Sequence, residues 1–276
     1  MNAPTQPRPS TLPTIVTYWS GRASWLERLS AASIVAAGHD LQVFTHDVAG
    51  LRGQGLPGTV TDVRAVLGPN PMADLYRDRK SYAFYTDYVR LGLLRQARGI
   101  WSDLDFVFRE PLRTAADGSD HVFGWLNPDR INNAILSVPA DSALLSRYWD
   151  AITAVPIRVP WATGHIRVKR ELEILVGRRF PRHPERLAIG PRALTHFVRA
   201  LGLDHHARAK PVFYPLDDTD APQLAAPDDR RAVAAITPET VAVHAWRGKL
   251  WSVGLHAPPP PTSWLGQRCR AFGIAA

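Results

Sequence analysis

The chain has 276 residues, of which 45% are hydrophobic and 21% are charged, and its formal net charge is +8. This composition supports a sizeable core and excludes a wholly disordered chain, and the lack of a run of eighteen apolar residues excludes a membrane-spanning helix. A single cysteine, Cys269, excludes an intramolecular disulfide and a thiolate-rich zinc site.

The first thirteen residues contain four prolines and no apolar stretch ahead of a cleavage site. They predict a disordered lead-in over 1–13 rather than a secretory signal. Because disulfides are excluded as well, we expect a cytoplasmic protein.

A βαβ unit follows the lead-in. Residues 14–19 form a β-branched and aromatic run that predicts a buried first strand. Residues 23–37 have apolar side chains at helical spacing and are followed by Gly38, and Leu41–Thr45 predicts the second strand. Strand, helix and strand within about thirty residues are typical of a parallel sheet with right-handed crossovers.

Strands and helices continue through the rest of the chain. After a segment rich in Gly, Pro and Asp at 49–78, the pattern predicts a helix over 81–98 and a strand over 100–108. Further strands are predicted over 121–126, 135–138, 212–214 and 240–244, and further helices over 142–154 and 191–201. We expect one α/β domain over 14–256 and a Pro-rich, basic-aromatic tail over 257–276.

Two carboxylates, Asp103 and Asp105, stand in the strand predicted over 100–108. Alternate side chains of an extended chain face the same way, so Trp101, Asp103 and Asp105 are expected on one side. Carboxylates that project together repel each other unless a cation lies between them, and hard oxygen ligands favour Mg²⁺ or Mn²⁺. Because ligands bind at the carboxyl ends of strands in doubly wound sheets, we predict a metal and phosphate site here.

The helix predicted over 81–98 carries a second charged pair. Asp87 and Arg90 are three residues apart and share a face with Leu91 and Leu94, so the pair is expected to point towards the sheet. A buried ion pair is a doubtful stabiliser, because desolvation offsets much of its attraction. We therefore expect this pair to hydrogen-bond a further polar group.

The sequence around these residues resembles a known family. Thr86-Asp87-x-x-Arg90 is followed by Arg98-Gly99-Ile100-Trp101-Ser102-Asp103-Leu104-Asp105. This is similar to the signature of the DXD-containing sugar transferases, glycosyltransferase family 32 and the α-1,4-glycosyltransferase-like proteins of capsular polysaccharide synthesis. The family pattern is Ser-Asp-x-x-Arg followed by Gly-Gly-x-Tyr-x-Asp-x-Asp. In this chain Arg98 stands in place of its first Gly, and Trp101 stands in place of its Tyr. Shorter matches are Thr17-Tyr18-Trp19-Ser20-Gly21, Ile189-Gly190-Pro191 and Val243-His244-Ala245-Trp246.

The resemblance implies a GT-A fold, a Rossmann-like nucleotide-sugar domain with a mixed, mainly parallel sheet. It assigns Asp103 to ribose and metal, Asp105 to the metal directly, and His244 to the metal as a third ligand. It assigns Asp87 and Arg90 to hydroxyls of the donor sugar. The further donor-binding residues that it implies are Tyr18, Trp19, Asn132, Asn133, Trp246 and Lys249. The expected cofactor is Mn²⁺ or Mg²⁺.

The reaction implied by the resemblance is transfer of a sugar from a nucleoside diphosphate, expected to be a UDP-sugar, with retention of configuration. The acceptor would be a saccharide or a lipid-linked saccharide. Two alternatives remain open. Arg98 in place of Gly is compatible with a nucleotide-sugar-binding protein that has lost turnover. A nucleotidyltransferase also pairs carboxylates around Mg²⁺, but the segment at 20–23 is too short for the Gly-rich, basic loop that follows the first strand of such enzymes.

The positive charge is concentrated in one segment. Between Arg158 and Lys210 there are twelve Lys or Arg and four Asp or Glu, an excess equal to the whole net charge. Without aromatic-interleaved repeats or zinc-finger spacing, we do not expect a nucleic-acid partner. With Trp264, Leu265 and Phe272 in the tail, the segment predicts reversible contact with the anionic inner face of a membrane.

Overall fold

A seven-stranded sheet organises the fold. The computed structural model describes residues 12–69, 73–74, 82–113, 120–181, 188–227 and 230–274, so most of the predicted lead-in lies outside the described residues. The strands are β1 (Ile15–Tyr18), β2 (Leu41–Thr45), β3 (Thr59–Asp62), β4 (Ile100–Ser102), β5 (Phe106–Phe108), β6 (Val122–Asn127), β7 (Arg130–Ser137), β8 (Ala207–Arg208) and β9 (Ala242–His244). The order in the main sheet is β3-β2-β1-β4-β7-β6-β8, and β5 and β9 form a separate ladder.

The sheet is mixed and mainly parallel, as predicted. Strand β1 runs parallel to both β2 and β4, β2 runs parallel to β3, and β6 runs parallel to β8. Only β7 is antiparallel to its neighbours β4 and β6 within the described sheet. The carboxyl ends of β1 and β4 therefore meet at one edge, where the predicted site residues follow them.

Helices pack around the sheet. They are α1 (Trp25–Ala36), α2 (Val48–Arg52), α3 (Tyr82–Arg95), α4 (Ala143–Thr153), α5 (Gly164–Leu175), α6 (Pro191–Ala200), α7 (Lys210–Phe213), α8 (Arg230–Ala235), α9 (Arg247–Ser252) and α10 (Trp264–Ala271). Helix α1 begins with a capping box, in which the Ser24 hydroxyl accepts from Leu26 N–H at 3.2 Å and Glu27 accepts from Ser24 N–H at 2.6 Å. None of the helices described is long and apolar enough to cross a bilayer.

The prediction of a single strand over 100–108 is wrong. The chain turns at 103–105 and forms two strands, β4 and β5. Strand β4 pairs with β1 and β7, whereas β5 leaves the main sheet and pairs with β9. The turn is held at both ends, since Asp103 N–H donates to Ala134 O and Ala245 N–H donates to Asp105 O, each at 2.8 Å. The two carboxylates therefore lie on a turn between two sheets and not on one face of a strand.

Two further predictions are corrected. The strand predicted over 212–214 overlaps helix α7, where Pro211 occupies the first turn and its fixed φ favours a helix start. In the tail, α10 is capped by Ser263 and buries Trp264 and Leu265 among the residues of α1 and α9. These two side chains are therefore not exposed to a membrane.

In the segment before β4, the backbone requires a glycine at residue 99 and not at residue 98. Gly99 has a φ of 138°, and a Cβ built there would lie 2.1 Å from the carbonyl oxygen of Thr14. Only glycine fits this close approach. Arg98 is exposed to solvent, so its side chain leaves the site instead of obstructing the backbone.

Candidate active site

A cavity of about 650 Å³ opens where β1 and β4 end. Its walls come from the segment after β1, the first half of α3, the turn at 103–105 and the start of α6. The residues that line it are Thr17, Tyr18, Trp19, Ser20, Arg22, Ala83, Thr86, Asp87, Arg90, Asp103, Leu104, Asp105, Asn133, Pro191 and Arg247. A cavity of this volume is in the range of small-molecule sites.

Arg90 joins the helix pair to the first carboxylate of the turn. One guanidinium nitrogen donates to Asp87, and the other donates to Asp103 Oδ1 at 2.7 Å. The guanidinium also lies 4.8 Å above the ring of Trp101, whose indole N–H donates to the same Asp103 oxygen at 2.7 Å. Asn133 Nδ2 donates to Asp87 at 2.8 Å. The further polar group expected beside the buried pair is thus Asp103.

Asp105 is held by residues from the far end of the chain. Its Oδ1 lies 3.1 Å from His244 Nε2, and its Oδ2 accepts from the Arg247 backbone N–H at 3.0 Å. The imidazole of His244 stacks on Phe106 with ring centroids 4.5 Å apart, because β5 and β9 pair these residues directly. Trp246 has a φ of 54°, and strained backbone of this kind clusters at functional sites.

The acidic groups have displaced pKa values. Burial raises the pKa of Asp87, although Arg90 and Asn133 act in the opposite direction. Burial also raises the pKa of Asp103, Arg90 opposes this, and the charge of Asp105 adds to it. For Asp105 burial acts upward as well, but His244 and Arg247 outweigh it and hold its pKa below the ordinary value. Of these three carboxyl groups, Asp105 is therefore the one whose ionised form is most strongly favoured.

Arg247 is a cavity residue that the sequence did not reveal. Its guanidinium donates to the fully buried Glu27 at 2.7 Å, and it lies 5.3 Å from the ring of Trp19 and 4.5 Å from that of Trp251. No local pattern marks this arginine, because Glu27 precedes it by 220 residues. Arg22, in the short loop after β1, is a second missed basic residue of the wall.

The structure brings most of the predicted site residues to this cavity. Tyr18, Trp19, Asp87, Arg90, Asp103, Asp105 and Asn133 all line it. Asn132 does not, since its side chain is buried and accepts from the Ala134 backbone N–H at 3.1 Å. Lys249 and Trp246 line an adjoining pocket of about 310 Å³, which shares Asp105 and Arg247 with the main cavity.

The two carboxylates have the donor chemistry of a magnesium or manganese site. Asp103 uses Oδ1 for its bonds to Arg90 and Trp101, and its Oδ2 makes no hydrogen bond to the described part of the chain. Among the described residues, no three or more His, Cys, Asp or Glu side chains are arranged to hold a metal ion. Since Mg²⁺ often takes one or two carboxylates with substrate phosphates, the pair fits such an ion.

No protein-family model and no curated protein matches this chain. Among solved structures it is similar to a chain described as PaToxG Glycosyltransferase, with 14% sequence identity and a TM-score of 0.47, over 69% of this chain and 70% of that one. The described chain itself has the mixed, mainly parallel α/β sheet with flanking helices that the sequence predicted.

Proposed function

We propose that this chain is a metal-dependent glycosyltransferase that moves a sugar from a nucleoside diphosphate, a UDP-sugar, to a saccharide or lipid-linked acceptor with retention. The observation that carries the proposal is the joining of Asp87, Arg90 and Asp103 in one network beside Asp105, at the carboxyl ends of β1 and β4. This arrangement offers hydroxyl-binding groups and a place for a phosphate-bound cation at neighbouring points of one cavity.

The donor would extend across the cavity from Trp19 to the charged network. Trp19 is an aromatic wall for the base, and its buried indole N–H has no partner within the described chain, so it is available to a ligand. Asp87 and Arg90 would bind sugar hydroxyls, with Asn133 orienting Asp87. The separation of aromatic and charged walls supports a ligand that has a base at one end and a sugar at the other.

Asp103 and Asp105 would hold Mn²⁺ or Mg²⁺. The third ligand predicted from the sequence, His244, would join them only if the ion displaced the contact between its Nε2 and Asp105 Oδ1. The ion would stabilise negative charge on the diphosphate leaving group. The chain contributes cations of its own, because Arg22 and Arg247 line the donor cavity and Lys249 lines the adjoining pocket. These charges stabilise the same developing charge as the anomeric C–O bond breaks.

The acceptor would occupy a second cavity of about 860 Å³ that shares Arg22 and Arg247 with the first. Its walls include the indoles of Trp25 and Trp251, which are stacked with ring centroids 6.1 Å apart. Indole faces offer apolar surface to a sugar ring, and arginine side chains can donate hydrogen bonds to its hydroxyls. Because Arg22 and Arg247 line both cavities, a donor in the first and an acceptor in the second would meet beside the charged network.

The test is release of nucleoside diphosphate from a panel of UDP- and GDP-sugars, with and without Mn²⁺. We expect metal-dependent hydrolysis of at least one donor, since water replaces the acceptor in such assays. Metal-dependent binding with no turnover of any donor would instead favour a nucleotide-sugar-binding protein. Pyrophosphate release from a nucleoside triphosphate and a sugar phosphate would favour a nucleotidyltransferase.

A further inference from the structure

Helix α5 is oriented with a charged side chain inward and apolar side chains outward. Arg170 is 2% exposed, and its guanidinium donates to the backbone oxygens of Ile157 at 2.9 Å and Arg179 at 3.0 Å. It also forms an ion pair with Glu173 at 3.2 Å. These bonds fix the rotation of the helix about its axis, so the opposite face must point to solvent.

That opposite face is an apolar stripe, which we define as Val168, Leu172, Leu175 and Val176. The exposed fractions of these residues are 60%, 57%, 81% and 72%. They follow one another at steps of four, three and one residue, so the first three lie on one side of the helix and Val176 continues at its end. Phe180 is also exposed a few residues further on. A contiguous apolar surface of this kind marks an interaction site.

Basic side chains border the apolar stripe. Between residues 158 and 180 there are six Lys or Arg and two Asp or Glu. Arg167 and Lys169 lie on either side of Val168 and are exposed, as are Arg178 and Arg179 beyond the helix. Of the two acidic residues, Glu171 is paired with Arg158 and Glu173 with Arg170. The free charge at the border is therefore positive.

We propose that this face of α5 docks reversibly on an anionic lipid bilayer. Leucine and valine side chains would enter the boundary between headgroups and acyl chains, while the flanking arginines and lysine contact lipid phosphates. A second copy of the chain is a poorer occupant, because two such faces would bring like charges together. The proposal rests on the helix surface alone and does not depend on the reaction proposed above.

The test is co-sedimentation of the full chain with vesicles at about 50 mM and about 500 mM salt, which differ strongly in screening. One set of vesicles is pure phosphatidylcholine, and the other contains equal parts of phosphatidylcholine and phosphatidylglycerol. We expect binding only to the anionic vesicles, with a loss of at least about fivefold at the higher salt. The double variant Leu172→Ser with Leu175→Ser should bind at least about tenfold more weakly at low salt.

Variants elsewhere on the surface are matched controls. Val233→Ser changes an exposed valine of α8, and Arg231→Glu reverses a charge on the same helix, and neither should alter binding. Arg167→Glu with Lys169→Glu should weaken binding to the anionic vesicles and flatten its salt dependence. Equal binding to both lipids, no binding at low salt, or full binding by the double serine variant would overturn the proposal. So would dimerisation of the free chain that the double serine change abolishes, because the stripe would then be covered by a second copy.

Discussion

The Asp105→Asn variant is expected to lose about a hundredfold to a thousandfold of its sugar-transfer rate while it remains folded. Asparagine has almost the same shape, so the bond from the Arg247 backbone N–H to the side-chain oxygen can persist. The change removes the carboxylate whose charge His244 and Arg247 favour, and with it a proposed ligand for the cation at the diphosphate. Losses of this size follow removal of a group that stabilises developing charge.

The measurement is initial rate against Mn²⁺ concentration for the wild type and the variant, with the folded state of each checked by thermal unfolding. Asp150→Asn is the matched control, because Asp150 is an exposed carboxylate on α4 that, among the described residues, accepts one hydrogen bond, from the Ser146 hydroxyl at 3.4 Å. It should behave as the wild type does. Wild-type turnover and wild-type metal dependence in a folded Asp105→Asn protein would contradict the role given to Asp105.

The second large effect is expected at Asp87 and Arg90. Asp87→Asn should lower transfer about a hundredfold and leave the affinity for free UDP within about twofold, because Asp87 is assigned to the sugar and not to the base. Arg90→Lys should also lower transfer, since a lysine cannot reproduce the fork that joins Asp87 to Asp103. Because Arg90 also holds Asp103, its replacement should weaken metal-dependent UDP binding as well, and Asp87→Asn is the cleaner probe.

Arg95→Lys is the control for this pair of variants. Arg95 belongs to the same helix as Arg90, and its guanidinium lies 5.0 Å from the ring of Trp149, much as that of Arg90 lies over Trp101. Unlike Arg90, Arg95 is exposed and does not line the main cavity. Its replacement should change neither turnover nor UDP affinity. If Asp87→Asn lowered turnover and UDP affinity to the same extent, the pair would be structural and the assignment to the sugar would be wrong.

Local sequence patterns were sufficient to predict the first βαβ unit and the helix that carries Asp87 and Arg90. Strand β2 has the predicted bounds, and β1 and α3 lie within the predicted ranges. The reason is that apolar periodicity and glycine stops are encoded by neighbouring residues. The inward orientation of the Asp87–Arg90 pair was also predicted correctly, because its position beside Leu91 and Leu94 is a property of one helix, and the two side chains are 13% and 4% exposed.

Features that depend on distant residues were not predictable in this way. The turn between β4 and β5 exists because residue 105 pairs with residue 245 instead of continuing the ladder, and no local pattern encodes that choice. Arg247 is held at the cavity by its hydrogen bond to Glu27 of α1, a residue far from it in the sequence. The outward apolar face of α5 runs against the usual amphipathic rule, since Arg170 takes the inner position where an apolar residue is expected.

Diffraction from crystals soaked with UDP-glucose and MnCl₂, and in parallel with other UDP-sugars, tests the assignment of the donor cavity most directly. The predicted result is a nucleotide sugar with its base against Trp19, its diphosphate and one metal ion beside Asp103 and Asp105, and its sugar within hydrogen-bond distance of Asp87 and Arg90. A nucleotide sugar bound away from these residues, or none bound at saturating concentration in crystals whose cavity is open to solvent, would contradict it.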